Sequence, residues 1–267
     1  MHTRNLVIGL AAGYHYGDVA PFLRSLERVG HAATECVLFA SDTTRDVERM
    51  ERHGTRVIRF RREPELEHVP YNGYRYRLYR DYLRGSGQRF RRVLMTDVRD
   101  VLFQHDPFSF DWPEGLNATL EDESMTIGSC PHNSRWVERH LGRAALVELS
   151  EERISCSGTT VADHDTLLEY LDAMISLSKG FRPGQNMAGF DQAIHNYLIR
   201  KDFGSETTFH DNAGPILTLG YHPCEPETDP KGDVLNDAGE PAVIVHQYDR
   251  KPGLFAMVRK RYGTMAD

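Results

Sequence analysis

Four short segments of this chain carry residue types that could do chemistry together. The first is Val93-Leu94-Met95-Thr96-Asp97-Val98-Arg99-Asp100, an apolar run that ends in carboxylates. In open α/β sheets, ligands bind beyond the carboxyl ends of the strands, and acids placed there suit a hard divalent cation that bridges phosphates. Asp97 and Asp100 read equally well as turn or helix-cap residues. The second segment, Val243 to Pro252, is an apolar strand ending in His246, with Lys251 close behind. His246 could complete a metal site and Lys251 could neutralise a departing diphosphate, although a lone histidine at a strand end is more often structural. In the third, Cys156-Ser157-Gly158 sit inside a strand, where small residues permit close approach of a ligand. The fourth, Gly189-Phe190-Asp191-Gln192, opens a helix. Its acid and amide could cap that helix or bond sugar hydroxyls.

Two further segments offer binding groups. Tyr71 to Leu83 is rich in tyrosine and arginine at helical spacing. An arginine on it could grip a phosphate or a hydroxyl through paired N–H groups, against the reading of a plain surface face, and the family resemblance set out below implies Arg77, with Arg75 as the alternative. The loop after the first strand, Ala11-Ala12-Gly13-Tyr14-His15, would meet a nucleotide, with Tyr14 or Tyr16 stacking on a base.

Periodicity supplies the elements that must hold these groups. Strands are expected at Asn5–Leu10, Cys36–Ala40, Arg56–Phe60 and Arg92–Thr96, and helices at Gly17–Val29, Thr43–Arg52 and Tyr71–Leu83. This alternation predicts an α/β fold built on a Rossmann-like, mostly parallel sheet flanked by helices. Further strands are expected at Ala118–Leu120, Ile154–Val161 and Ala242–Gln247. Helices are expected at Ser134–Leu141, His164–Leu177 and Phe190–Ile199, and Pro223–Glu240 reads as a long loop. No repeat or linker interrupts the 267 residues, so one domain is expected. Residues 1 to about 110 would form its nucleotide-binding half and the remainder, from about 111, its acceptor half.

Composition narrows the function classes. Hydrophobic residues at 40% and charged residues at 27% suit a globular chain with a real core. At a net charge of −7, the small arginine clusters at Arg59-Arg61-Arg62 and Arg89-Arg91-Arg92 read as solvated faces rather than a nucleic-acid footprint. No stretch approaches the roughly 20 apolar residues of a transmembrane helix. Met1 to Asn5 leads only into the short apolar run Leu6–Ala12, without a cleavage pattern after it. Cys36, Cys130, Cys156 and Cys224 are scattered, with neither zinc spacing nor a disulfide framework, so a cytoplasmic location is expected.

The order of the four segments resembles that of the GT-A glycosyltransferases, and among them the retaining family 8 of glycogenin and bacterial galactosyltransferases. The resemblance rests on Asp97-Val98-Arg99, Cys156-Ser157-Gly158, Asp191-Gln192, and His246 with Lys251-Pro252, and it spans the chain from the first strand to Pro252. It implies transfer of a sugar from a nucleotide-sugar, a UDP-sugar above all, to a hydroxyl of a glycan, a small molecule or a protein. It places a metal at Asp97, Asp100 and His246. A histidine ligand favours Mn²⁺ over Mg²⁺. Asp191, Gln192 and Lys251 fall at catalytic positions. Ala11, Gly13, Tyr14, Arg75, Arg77, Asp97, Arg99, Ser157 and Gly158 fall at donor-binding positions.

Two departures from the family pattern stand out. Arg99 replaces the second metal-binding aspartate, so Asp100 can serve only if the chain turns after Asp97, and Cys156 replaces an asparagine. They leave room for a GT-A domain that binds without turnover. A haloacid-dehalogenase-type phosphohydrolase is a further alternative. That family keeps its Asp-X-Asp on the first strand, and here the first strand ends in Leu10-Ala11-Ala12-Gly13.

Overall fold

The computed structural model of the chain describes residues 4–30, 33–184 and 187–263. The first three residues of the N-terminal segment read above lie outside that range. In chain order the elements are β1 (Asn5–Leu10), α1 (Tyr16–Val29), β2 (Thr34–Ala40), α2 (Val47–Glu51), β3 (Arg56–Arg59), α3 (Tyr71–Gly85), β4 (Val93–Thr96) and β5 (Val101–Phe103). Then follow β6 (Leu116–Leu120), α4 (Pro131–Leu141), α5 (Arg143–Leu149), β7 (Ser155–Ala162), α6 (His164–Leu177) and α7 (Phe190–Leu198). The chain continues through β8 (Thr207–His210), β9 (Ile216–Thr218), β10 (Ile244–His246) and α8 (Pro252–Tyr262).

Seven strands form one sheet in the order β3-β2-β1-β4-β7-β6-β8. β1 pairs in parallel with β2 and β4, β2 with β3, and β6 with β8, while β7 runs antiparallel between β4 and β6. The sheet therefore crosses from the expected nucleotide half into the expected acceptor half through the β4–β7 pair. Buried strands of this kind carry apolar residues on both faces. Leu6 and Ile8 of β1 pack with α3, α6 and α7 on one side, and Val7 packs with α1 on the other. A second sheet, β5-β10-β9, contributes Val101, Phe103, Ile216 and Ile244 to the α1 side.

The expected helix over Thr43–Arg52 shortens to Val47–Glu51. The hydroxyls of the preceding residues compete with helical bonding: Ser41 N donates to Thr44 Oγ1 at 3.0 Å, and Thr44 Oγ1 donates to the Ala11 carbonyl at 2.8 Å. Asp46 at the helix start adopts a left-handed φ of 59°. The loop over Pro223–Glu240 holds no helix and only isolated bridges at Thr228–Val234 and Leu235–Pro241. All four cysteines are free. No helix among the described residues is long and apolar enough to cross a membrane.

Candidate active site

Asp97 follows the last residue of β4, and its backbone N–H is tied across to the Gly158 carbonyl on β7 at 2.7 Å. The chain then turns. Val98 folds down onto Gly9 of β1, where an added Cβ would lie 2.4 Å from Val98 Cγ1. Only glycine leaves room for that turn. The turn delivers β5, whose antiparallel register with β10 sets Val101 opposite His246. Asp100 is thereby carried to the histidine, and its carbonyl accepts from Gln247 N at 2.8 Å. One ligand atom from each of Asp97, Asp100 and His246 lies within 4.8 Å of the others. Arg99 points away and pairs with Asp249 at 2.7 Å.

Three observations test whether this cluster fits a divalent cation. His246 Nε2 is fully buried and has no hydrogen-bond partner among the described residues, and it stands 3.6 Å from Asp97 Oδ2. Its other nitrogen, Nδ1, meets Thr218 Oγ1 at 3.3 Å, and that hydroxyl gives its single proton to Gln247 Oε1 at 3.1 Å. Thr218 therefore accepts from Nδ1–H, which turns the Nε2 lone pair toward the carboxylates, as metal-binding imidazoles require. Finally, Gly158 leaves the space open, since a Cβ there would stand 2.5 Å from His246 Cε1 and 2.6 Å from Asp97 Oδ2. The residues fit such an ion.

The electrostatics show the same demand for positive charge. Burial raises the pKa of Asp100 to about 6, with Asp97 adding to the rise and His246 opposing it. Burial also works to raise Asp97, but Arg75 and His246 outweigh it and hold this carboxyl at about 2. Burial opposes a charge on His246, yet Cys156, Asp97 and Asp100 pull its pKa well above the usual imidazole range. The Asp97 side chain remains 38% exposed, so the cluster opens to solvent on one side.

A second knot joins this cluster to Asp191. Arg75 on α3 is buried, and its Nη1 donates to Asp97 Oδ1 at 2.5 Å. Its Nη2 donates to Asp191 Oδ2 at 3.2 Å and to the Ser157 carbonyl at 3.1 Å. Asp191 Oδ1 accepts from Asn72 Nδ2 at 2.6 Å, and Oδ2 also accepts from Tyr76 OH at 3.3 Å and Ser157 Oγ at 3.4 Å. Asp191 thus spends its carboxylate on tertiary donors; the N-cap of α7 is Gly189, with no side-chain cap bond. Arg77, the arginine favoured on sequence grounds, is half-buried and pairs with neither Asp97 nor Asp191. Residues two apart on a helix point about 200° apart, so only one of the two arginines can face β4.

The remaining expected residues lie around this core. The Tyr14 phenol stands among Arg99, Asp97, Asp100 and Asp18; burial and the carboxylates raise its pKa against Arg99. Ala11 is buried, and Gly13 N donates to Ser41 Oγ at 3.1 Å. Lys251 is buried with its ammonium on the His222 carbonyl, so one of its three donors is committed to the loop between β9 and β10. Gln192 donates its Nε2 to Asn133 Oδ1 at 2.8 Å.

Sequence reasoning missed Glu121, a fully buried carboxyl directly after β6. Burial raises its pKa while His246 opposes the rise, and its Oε2 accepts from Tyr221 N at 3.3 Å. The rule that singled out Asp97, an acid just past a strand's carboxyl end, would have found it. Asn72 and Asn133 carried no such signal, because their roles depend on α7 lying against them.

No protein-family model and no curated protein sequence matches the chain. Among solved structures, it is similar to the crystal structure of an active-site mutant of LgtC, a family 8 GT-A galactosyltransferase. That match has 14% sequence identity and a TM-score of 0.59, and it covers 98% of both chains. Together with the seven-stranded, mostly parallel sheet flanked by helices, it establishes that the chain has the GT-A glycosyltransferase fold.

Proposed function

We propose that this chain is a metal-assisted glycosyltransferase that moves a sugar from a UDP-sugar to an acceptor hydroxyl with retention. The observation that carries the reading is the convergence of Asp97, Asp100 and the unpartnered Nε2 of His246 at the strand ends, with Arg75 joining them to Asp191. Asp97, Asp100 and His246 would hold Mn²⁺, with Mg²⁺ as the alternative. The bound ion supplies positive charge to the leaving diphosphate. Lys251 would add its charge through the two N–H donors that the His222 carbonyl leaves free. Tyr14 would face the base, and the backbone at Ala11 and Gly13 the rest of the nucleoside. Ser157 and Gly158 line the floor beneath the sugar, and Arg99 borders the site from its pair with Asp249. Arg77 has no place in this reading.

Asp191 is poorly suited to act as a nucleophile, because both its oxygens already accept hydrogen bonds. Its buried charge instead favours positive charge developing at the reacting carbon. The acceptor's proton would pass to the departing phosphate on the same face. A glycan, a small molecule or a protein side chain could supply the acceptor hydroxyl. A second reading, a GT-A domain that binds a nucleotide-sugar without turnover, draws on Cys156 in the strand beside His246.

Stereochemistry tests the proposal. Proton NMR of the first sugar product formed from an α-linked UDP-sugar, with water as acceptor if no other is found, is expected to show the α anomer before mutarotation. A β product would overturn retention, and no product at all would favour the second reading.

A further inference from the structure

A cavity of about 380 Å³, of a size that suits a small ligand, lies at the carboxyl end of α4, beside the segment between α6 and α7. Arg139 and His140 line it from α4, Arg182 lines it from the segment, and Met187 supplies a buried apolar group. Among the described residues no acid lines it, in a chain whose net charge is −7. Arg139 and Arg182 are exposed, and neither makes an ion pair or a hydrogen bond with a described residue. Glu138, beside Arg139 in the chain, is taken by Arg143 at 3.1 Å. The negative end of the α4 dipole accounts for a basic residue in its last turn, but not for Arg182, which comes to the same cavity from another segment.

One face of α4 ties this cavity to the reaction centre. His140 packs edge-on against Phe190, the first residue of α7, with ring centroids 5.3 Å apart, and its Nε2 donates to the Leu177 carbonyl at 2.9 Å. Trp136, one turn back, lies on Gly189, where an added Cβ would stand 2.4 Å from its Cη2. Asn133, nearly one turn further back, bonds Gln192 at 2.8 Å. At 1.5 Å per residue, Arg139 stands about 9 Å along the helix from Asn133, a distance that a short saccharide spans.

We infer that Arg139 and Arg182 bind a phosphate group carried by the acceptor, so that the acceptor is a phosphorylated saccharide rather than a neutral one. This rests on the transferase reading above, which sets the reacting sugar beside Asp191 and Gln192. Two guanidinium groups lining one cavity offer paired N–H donors that match the oxygens of a phosphate. Binding there takes no charge away from the metal cluster, where Asp97 and Arg75 are already paired.

The test joins a binding measurement to kinetics. In protein labelled with ¹⁵N-arginine, without donor or metal, the Arg139 and Arg182 side-chain signals are those absent from Arg139→Gln and from Arg182→Gln. Glucose 6-phosphate is expected to shift both signals, and methyl glucoside neither. Arg139→Gln with Arg182→Gln is expected to weaken glucose 6-phosphate on the order of tenfold or more, the scale of one charge-assisted hydrogen bond, and to leave UDP affinity as it was. Transfer from UDP-galactose or UDP-glucose with Mn²⁺ supplies the second readout. KM for glucose 6-phosphate is expected to lie on the order of tenfold below KM for methyl glucoside, and the double variant should erase that difference. Signals that do not move, or a KM difference that the double variant keeps, would overturn the inference. A fall in UDP affinity in the double variant would also overturn it, by giving the two arginines to the donor. Signals that inorganic phosphate shifts, with no KM difference between the two acceptors, would leave a free-phosphate site and overturn the acceptor role. Shifted signals together with a wild type that neither transfers nor hydrolyses any nucleotide-sugar would support the phosphate site while overturning the transferase reading.

Discussion

Arg75→Ala is expected to lower the unfolding free energy by about 3–5 kcal/mol, the scale for removing one partner of a buried ion pair. The Arg75–Asp191 pair carries most of that loss, because the two side chains are 6% and 4% exposed. The Asp97 side of the bridge is 38% exposed and solvent screens it, so it contributes less. Without the guanidinium, Asp191 keeps Asn72, Tyr76 and Ser157 as hydrogen-bond donors but loses the counter-charge that Arg75 gives it. Urea denaturation at neutral pH measures the change, and a loss below about 1 kcal/mol would place Arg75 with surface pairs. A companion substitution separates charge from shape. Asp191→Asn sets a new N–H₂ against partners that are themselves donors, and Arg75 and Asn72 cannot reverse without giving up other bonds. Turnover is expected to fall on the order of 100-fold or more, with UDP affinity nearly unchanged.

Asp97→Asn is expected to lower turnover on the order of a thousandfold, the upper range for losing a group that stabilises charge in the transition state. Asparagine keeps the volume beside Gly158 and removes the charge that Arg75 and the cation site share. Added Mn²⁺ should no longer restore activity, and His246→Ala should weaken Mn²⁺ without reaching the same loss. Titrating Mn²⁺ against the initial rate in each variant separates the two. An Asp97→Asn enzyme with the wild-type Mn²⁺ dependence would remove Asp97 from the metal site.

The sequence carried the parts of this account that depend on local pattern. β1 and α6 fall at the expected residues, Asn5–Leu10 and His164–Leu177, because a buried apolar run marks the first and Asp163 caps the second by accepting from Thr166 N at 3.0 Å. β5 and β9 were not legible. Each has three residues, and each exists because β10 pairs with it across more than twenty intervening residues. The short helix α5, the edge strand β8 and the last helix α8 also escaped periodicity; α8 buries Leu254, Val258 and Tyr262, while apolar Phe255 on the same helix stays exposed and blurs the pattern. Within the site, strand-end acids could be read along the chain. Whether the chain turns after Asp97 could not, since Val98 must find Gly9 on another strand. The choice between Arg75 and Arg77 likewise depended on which face of α3 meets β4 and α7.

Release of UDP from UDP-galactose and UDP-glucose, followed by phosphorus NMR with Mn²⁺ present and again in excess EDTA, tests the central claim most directly. The geometry of Asp97, Asp100 and His246 predicts UDP release that requires Mn²⁺, stops in EDTA and is lost in Asp97→Asn. Release at the same rate in EDTA would contradict the metal site, and no release from any nucleotide-sugar would contradict the transferase itself.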